Sequence, residues 1–512
     1  MRKMGAVGFF REELEPNREI RDEIADACIR ANRTLRGQAI RFSFFRAEPE
    51  AGCVSAARGE DFLGYLVWLR FWEEKPKRRN SAFAEFVLES VVRSPSLVIP
   101  AVNGASERPV SLPNFYLHCV RQWDSTIGTR ACSTNLEIIG SFFCQQSGFT
   151  HVCAHAALRM AWNNTERLIQ REKLTNRRIN KLLRIDHSDP RKRRGSLPGA
   201  KSKPTGLSEG EIRFVIQALG ADFQTANFRD EPNLNYEHVV YPLVESGCPV
   251  ILGIYGPGTT HVVTVVGHTR NSDRWSPEAR HGYDGGALQL SPYMSAVEWA
   301  DHLIAHDDNF GASLSIPTDS LKSVLLPAHN AGLHACIAIA IVPKGVSFSC
   351  YKAETIAAGT AQMLLEGVAG ISGLPKNRWR KRLCDNFRDQ ESGSHCERMI
   401  CRTILQSRSD YIGHFSEHCL CSSAELEFLR AALPVRFWVT ELSIPPIYTA
   451  NRHKLGDVIV RCGKNSSASR DRVPFAWFPG VAVFGDALFQ WSIEKHIPLL
   501  RAGHTPCDGM EW

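Results

Sequence analysis

What the sequence lacks narrows its function before any motif is read. It has no apolar run of about eighteen residues, the length a membrane-crossing helix needs. Its opening stretch, MRKMGAVGFFREELEP, reaches acidic side chains before an apolar signal-peptide core can develop, so a soluble, cytoplasmic chain with no membrane partner is expected. There is no H-E-x-x-H pair and no internal repeat, which argues against a helical zinc-protease site and against solenoid folds. Gly253, Gly256 and Gly258 come nearest to a phosphate-cradling loop. They stand between two strand-like runs, however, and so read as a turn. No cofactor is expected.

What is present is an ordinary globular composition: 512 residues, 43% hydrophobic and 22% charged, with a modest net charge of +7. This length supports roughly two to four domains. Sixteen cysteines are scattered along the chain, and in the absence of a secretion signal most are expected to be free and buried. One cluster, His395, Cys396, Cys401, His414, His418, Cys419 and Cys421, invites comparison with zinc sites. Its pairs are C-x₄-C and C-x-C, and alternate residues on a strand share a face only when the strand is regular, so chance enrichment is favoured and no metal is expected.

The stretch around which the chain is organised is Cys144 to Asn164, CQQSGFTHVCAHAALRMAWNN. A polar lead-in containing a glycine ends at Val152, and the alanine-rich segment after it has helical composition with no breaker. Cys153 therefore opens a helix, where unpaired backbone N–H groups carry partial positive charge and favour a thiolate. Gln146, or alternatively Gln145, could offer a side-chain N–H to an oxyanion. About a hundred residues later, ESGCPVILGIYGPGTTHVVTVVGHT (Glu245 to Thr269) holds two β-branched runs split by a turn, with His261 at the start of the second. Cysteine and histidine so placed make the minimal nucleophilic pair.

Glutamine, then a cysteine opening a helix, then G-x-P-V-I-L, a turn and H-V-V-x-V-V-G-H together resemble the papain-like cysteine peptidases, in the branch that includes bacteriocin-leader-processing peptidases. The resemblance covers roughly residues 136–345. It implies a Cys-bearing helix packed on an antiparallel sheet, with a carboxylate or amide on the strand after the histidine. Trp299 to Gly311 supplies Asp307, with Asp308 and Asn309 as alternatives. The sequence departs from the family in three places. Gln146 lies seven positions before Cys153, Ala154 follows the cysteine in place of glycine, and Asn271 to Gly286 form a polar insertion after the His strand.

The remainder reads more plainly. Residues 1–135 form an α+β region, with a helix over Asn17 to Leu35 and strands over Ile40 to Phe45 and Phe62 to Trp72. Phe83 to Val92 could be either helix or strand, and Pro109 to Tyr116 reads as a loop. Residues 166–204 hold thirteen Lys or Arg against four acidic residues, including Arg191 to Arg194, and 188–206 is expected to be a mobile basic insertion. No aromatic side chain stands there to stack on bases, so a solvated loop is favoured over a nucleic-acid site. Helices follow over Leu207 to Gly220, where Ser208 and Glu211 form a capping box, and over Tyr236 to Gly247. Leu333 to Pro343 reads as a buried strand. Residues 346–512 form a C-terminal region with a helix over Ala353 to Ile371, a strand over Arg436 to Ile444 and a basic surface over Gly373 to Leu383.

The fold expected is α+β with a papain-like centre. The expected function is thiol-dependent acyl hydrolysis of a peptide, protein or isopeptide by Cys153, His261 and Asp307 with Gln146. An acyltransferase, or an inactive recognition scaffold on the same fold, is the alternative.

Overall fold

The computed structural model describes residues 6–47, 59–73, 84–93, 115–129, 132–147, 152–165, 172–185, 206–231, 234–256, 259–269, 293–321, 333–388, 399–418, 420–463 and 472–500. The expected basic insertion 188–206 lies outside them except for Gly206, as do His151, His395, Cys396 and Cys419. The chain is mixed α+β and is built on three largely antiparallel sheets.

The first segment runs β1 (Gly8–Leu14), α1 (Arg18–Ala31), β2 (Leu35–Phe45), β3 (Phe62–Glu73), β4 (Ala84–Arg93), β5 (Phe115–Leu117), β6 (Arg121–Thr129) and β7 (Cys132–Phe143). Its sheet has the order β1-β2-β3-β4-β7-β6. Asn17 caps α1 by accepting a hydrogen bond from the N–H of Ile20, and the helix ends at Asn32 in the left-handed region. The ambiguous Phe83 to Val92 stretch is a strand, with Phe86, Leu88 and Val91 buried on one sheet. β7 continues to Phe143, so the N-terminal sheet extends past residue 135. Phe115 and Tyr116 lie in β5, which leaves this sheet to pair with the next one.

The central segment contains α2 (Cys153–Asn163), α3 (Asn176–Leu183), α4 (Glu209–Ala218), β8 (Asp222–Asn227), α5 (Glu237–Glu245), β9 (Val250–Gly256), β10 (Thr259–Thr269), β11 (Met294–Ser295), β12 (His302–Asp307), β13 (Gly311–Pro317) and β14 (His334–Val342). Its sheet has the order β13-β12-β10-β9-β14-β8, with β5 added beside β10. The Ser208–Glu211 capping box is formed at α4.

Ten of the eleven residues of α2 are buried, as expected of a helix covered on all sides. Ala154, Ala157, Leu158 and Ala161 face the central sheet through Ile251, Ile339 and Ile341, while Ala156 and Met160 pack into the N-terminal sheet's core. Alanine recurs on this helix because two sheets approach it at once. The Thr264 hydroxyl on β10 donates to the Ala157 carbonyl at 3.0 Å. Asn164 pairs its side-chain amide with both the N–H and C=O of Phe142 on β7. The buried Arg159 reaches Glu19 of α1 at 2.7 Å.

The last segment holds α6 (Cys350–Ala369), α7 (Arg378–Arg388), β15 (Ile400–Ser407), α8 (Arg408–Glu417), α9 (Ser423–Ala432), β16 (Arg436–Ser443), α10 (Pro445–Asn451), β17 (His453–Lys454), β18 (Gly456–Arg461), β19 (Phe475–Phe478), β20 (Val481–Phe484), β21 (Ala487–Gln490) and β22 (Ile497–Pro498). Its seven-stranded sheet is β11-β15-β16-β18-β19-β20-β21. One hydrophobic core runs unbroken from α5, β9, β10 and β14 through α6 into β15, β16 and β18. A boundary at residue 345 thus crosses continuous packing, and β11, from the earlier part of the chain, pairs with β15. Among the described residues, no helix is long and apolar enough to cross a membrane.

Candidate active site

Cys153 is the first residue of α2 and is half-buried. The residue before it, Val152, is extended and offers no side-chain cap, and the first turn of the helix holds no acidic residue. The positive end of the helix is therefore left uncancelled at the thiol.

His261 stands on β10 and was expected at the strand's first position; pairing with β9 begins two residues earlier, at Thr259. Its side chain is 20% exposed, and its Nε2 faces Asp307 Oδ2 at 3.1 Å. Hydrogen bonding to Asp307 and then to the Cys153 side chain raises its pKa to about 10, against the opposing effect of burial. Segments separated by about a hundred residues thus bring thiol, imidazole and carboxylate together.

Asp307 ends β12, the strand paired with β10. Burial alone would raise its pKa. Hydrogen bonds from His261 and from the backbone N–H groups of Asn309 and Phe310 outweigh that effect and hold it below the usual carboxylate range. Its Oδ1 accepts from those two amides at 2.8 and 3.2 Å, so the turn that follows the strand also fixes the carboxylate.

Asp308 is not turned away. Strict alternation would have placed it on the opposite face, but β12 ends at Asp307 and the pairing with β13 shifts register between Ala305 and Asp307. Its Oδ1 lies 3.6 Å from His261 Nε2. Among the described residues its buried carboxylate meets no hydrogen-bond donor from another residue, and burial pushes its pKa up to about 6. His261 therefore has two carboxylates behind it, where alternation allowed only one.

The two glutamines separate clearly. Gln145 is committed to β4: its Oε1 accepts from Val87 N–H at 2.9 Å, and its own N–H donates to Val87 C=O at 2.9 Å. Gln146 donates from Nε2 to Asn309 Oδ1 at 2.7 Å and so belongs to the Asp307 turn. A side-chain amide has two N–H groups, so one remains for a ligand. Asn309 therefore contacts Gln146, and the two carboxylates contact His261.

The neighbouring His306 is a core residue. Burial lowers its pKa to about 3, and its Nδ1 accepts from the N–H of Ser313. Of the zinc candidates, Cys401 is buried on β15 and His414 and His418 pack ring against ring, but among the described residues none of these joins a three-ligand group. Two such groups do form, His261 with Asp307 and Asp308, and His118 with Glu245 and His268. The second was not visible in the sequence, since its members lie up to 150 positions apart and in no motif. A cavity of about 810 Å³ lined by Lys344, Arg436 and Arg461 shares no lining residue with the cysteine site. Neither a family model nor a curated protein matches this chain.

Proposed function

We propose that the protein is a thiol-dependent acyl hydrolase, a cysteine peptidase or isopeptidase whose central part is papain-like. The observation that carries this reading is the meeting of the Cys153 thiol, at an uncapped helix start, with an imidazole backed by Asp307 at 3.1 Å. The Cys helix lies on an antiparallel sheet whose adjacent strands β10 and β12 bring the histidine and the carboxylate, which agrees with the family resemblance.

The chemistry follows from these groups. Proton transfer from Cys153 to His261 gives a thiolate–imidazolium pair, and the thiolate attacks the acyl carbonyl. The backbone N–H of Cys153 and the second N–H of Gln146 receive the oxyanion. His261 then gives its proton to the leaving amine, a thioester forms on Cys153, and water, deprotonated by His261, releases the acid. Asp307 keeps the ring oriented and favours its charged form.

Limited iodoacetamide labelling read by peptide mass spectrometry tests this. Cys153 is expected to react faster than the other described cysteines, and His261→Ala is expected to slow it at least tenfold. Among the described cysteines, competition is limited. Of the other described cysteines that are not buried, Cys28 is held by the Leu35 backbone, while burial raises the pKa of both Cys336 and Cys421. Labelling of Cys153 at the bulk rate, or indifference to His261→Ala, would refute the proposal.

A further inference from the structure

The second ligand group lies where the β5–β6 connection, the end of α5 and β10 meet. His118, Glu245 and His268 are 4%, 4% and 2% exposed. The two imidazoles meet at their Nε2 corners, 2.9 Å apart, and Glu245 Oε1 lies 3.1 Å from His268 Nε2. His268 Nδ1–H donates to the carbonyl of Thr269 at 2.9 Å, so in the neutral ring Nε2 carries a lone pair. That lone pair faces an anionic oxygen and a second ring nitrogen, an arrangement that either a proton shared between the rings or a cation at its centre would satisfy.

Among the described residues, the permanent cation at Glu245 is Arg402. Arg402 Nη2 binds Glu245 at 2.5 Å through the carboxylate's other oxygen, Oε2, leaving Oε1 turned to the histidines. Arg402 also pairs with Glu441, which Lys454 reaches at 2.9 Å, and Lys454 lies 2.9 Å from Asp457. Two permanent cations thus serve three buried carboxylates.

We propose that His118, Glu245 and His268 bind a divalent transition metal, zinc in the first instance, at a site separate from Cys153. The donor set is two imidazoles and one carboxylate, which suits zinc and leaves one position for water. Donor atoms about 2.0–2.1 Å from a tetrahedral ion stand about 3.3–3.4 Å from one another, a few tenths of an ångström wider than the 2.9 and 3.1 Å seen here. The outer shell has the form of metal sites: a ligating histidine donates its other N–H to a backbone carbonyl, and the carboxylate accepts from Tyr241 OH at 2.9 Å and from Arg402. The ion would clamp α5 and the β5–β6 connection to the strand that carries His261.

Full-length protein, stripped with chelator and dialysed, is titrated with Co²⁺ and, separately, with Zn²⁺. One equivalent of Co²⁺ is expected to give a visible d–d absorption, and Zn²⁺ is expected to displace it and raise the melting temperature. His118→Ala and His268→Ala should each weaken binding at least tenfold, whereas Asp308→Asn, in the other ligand group, should leave it intact. Circular dichroism and melting identify a variant that fails to fold, and the wild-type titration stands without either variant. Wild-type protein that binds no Co²⁺ and ignores Zn²⁺ would mean that a shared proton occupies the centre, and the proposal is then wrong. Binding lost in Asp308→Asn and kept in His268→Ala would move the ion to the His261 cluster and equally overturns it.

Discussion

Asp307→Asn is the most informative single change at the cysteine site. The replacement keeps Oδ1 as an acceptor for the N–H groups of Asn309 and Phe310, so the turn persists, and it deletes the charge 3.1 Å from His261 Nε2. With its oxygen held by those two amides, the asparagine turns its NH2 toward His261 Nε2, so the imidazolium loses a charge-assisted hydrogen bond worth about 1.5–3 kcal/mol and gains no neutral one in its place. That loss, about 1.5–3 kcal/mol, corresponds to roughly 10- to 150-fold less thiolate–imidazolium pair. Asp308 stays 3.6 Å from the ring and keeps the loss from growing larger. The assay needs no substrate: the alkylation rate of Cys153 by iodoacetamide is followed across the pH range, alongside thermal melts. A roughly 10- to 150-fold slower reaction at neutral pH is expected, with reactivity setting in at higher pH and the melt little changed. Asp308→Asn should cost less, and the double replacement more than either. If Asp308→Asn proves the crippling change, the second carboxylate is the one that supports the imidazolium. If neither variant alters the rate, no carboxylate assists His261 and the three-residue reading fails.

Two further outcomes follow from the same charges. The pKa of His261 is raised from 6.5 to about 10, so its protonated form contributes stability that is complete below about pH 6.5 and is lost as pH rises through about 10. Urea midpoints at pH 6 and pH 10 should therefore differ less in His261→Gln than in wild type, and an unchanged difference would contradict the raised pKa. Arg159→Met keeps the apolar stem of a wholly buried side chain and leaves Glu19 with Lys173, at 2.7 Å, as its cation, so the expected cost in urea unfolding is that of one charged hydrogen bond, about 1.5–3 kcal/mol. The exposed Arg178–Glu172 pair is the control, and Arg178→Ala should cost under about 1 kcal/mol.

The sequence was legible where a local pattern carried the information. Cys153 at a helix start, the Ser208–Glu211 cap and the β-branched runs around His261 each need only their own neighbours, and each element lies where those neighbours predict. The order β10–β12 was not local, and neither was the register shift that brings Asp308 back toward His261. Nothing in the letters distinguishes Gln145 from Gln146, because the choice depends on β4, more than fifty positions upstream. The C-terminal sheet was the least readable. Strands such as β18 (Gly456–Arg461), buried at all but its last residue, and β19 (Phe475–Phe478), buried throughout, lack the alternation that marks a half-exposed strand, and several are only four residues long.

The position of α2 between two sheets bears on how this protein could be divided. Met160 and Ala156 rest on strands that begin near the N-terminus, and Asn164 completes the hydrogen bonding of Phe142. Removing the first 143 residues would leave one flank of the thiol-bearing helix in water and strand Arg159 without Glu19. The stretch that resembles a peptidase is therefore no exchangeable cartridge. The helix that begins at Cys153 is set by a partner sheet from the same chain, and the two would have to be inherited, expressed and redesigned together.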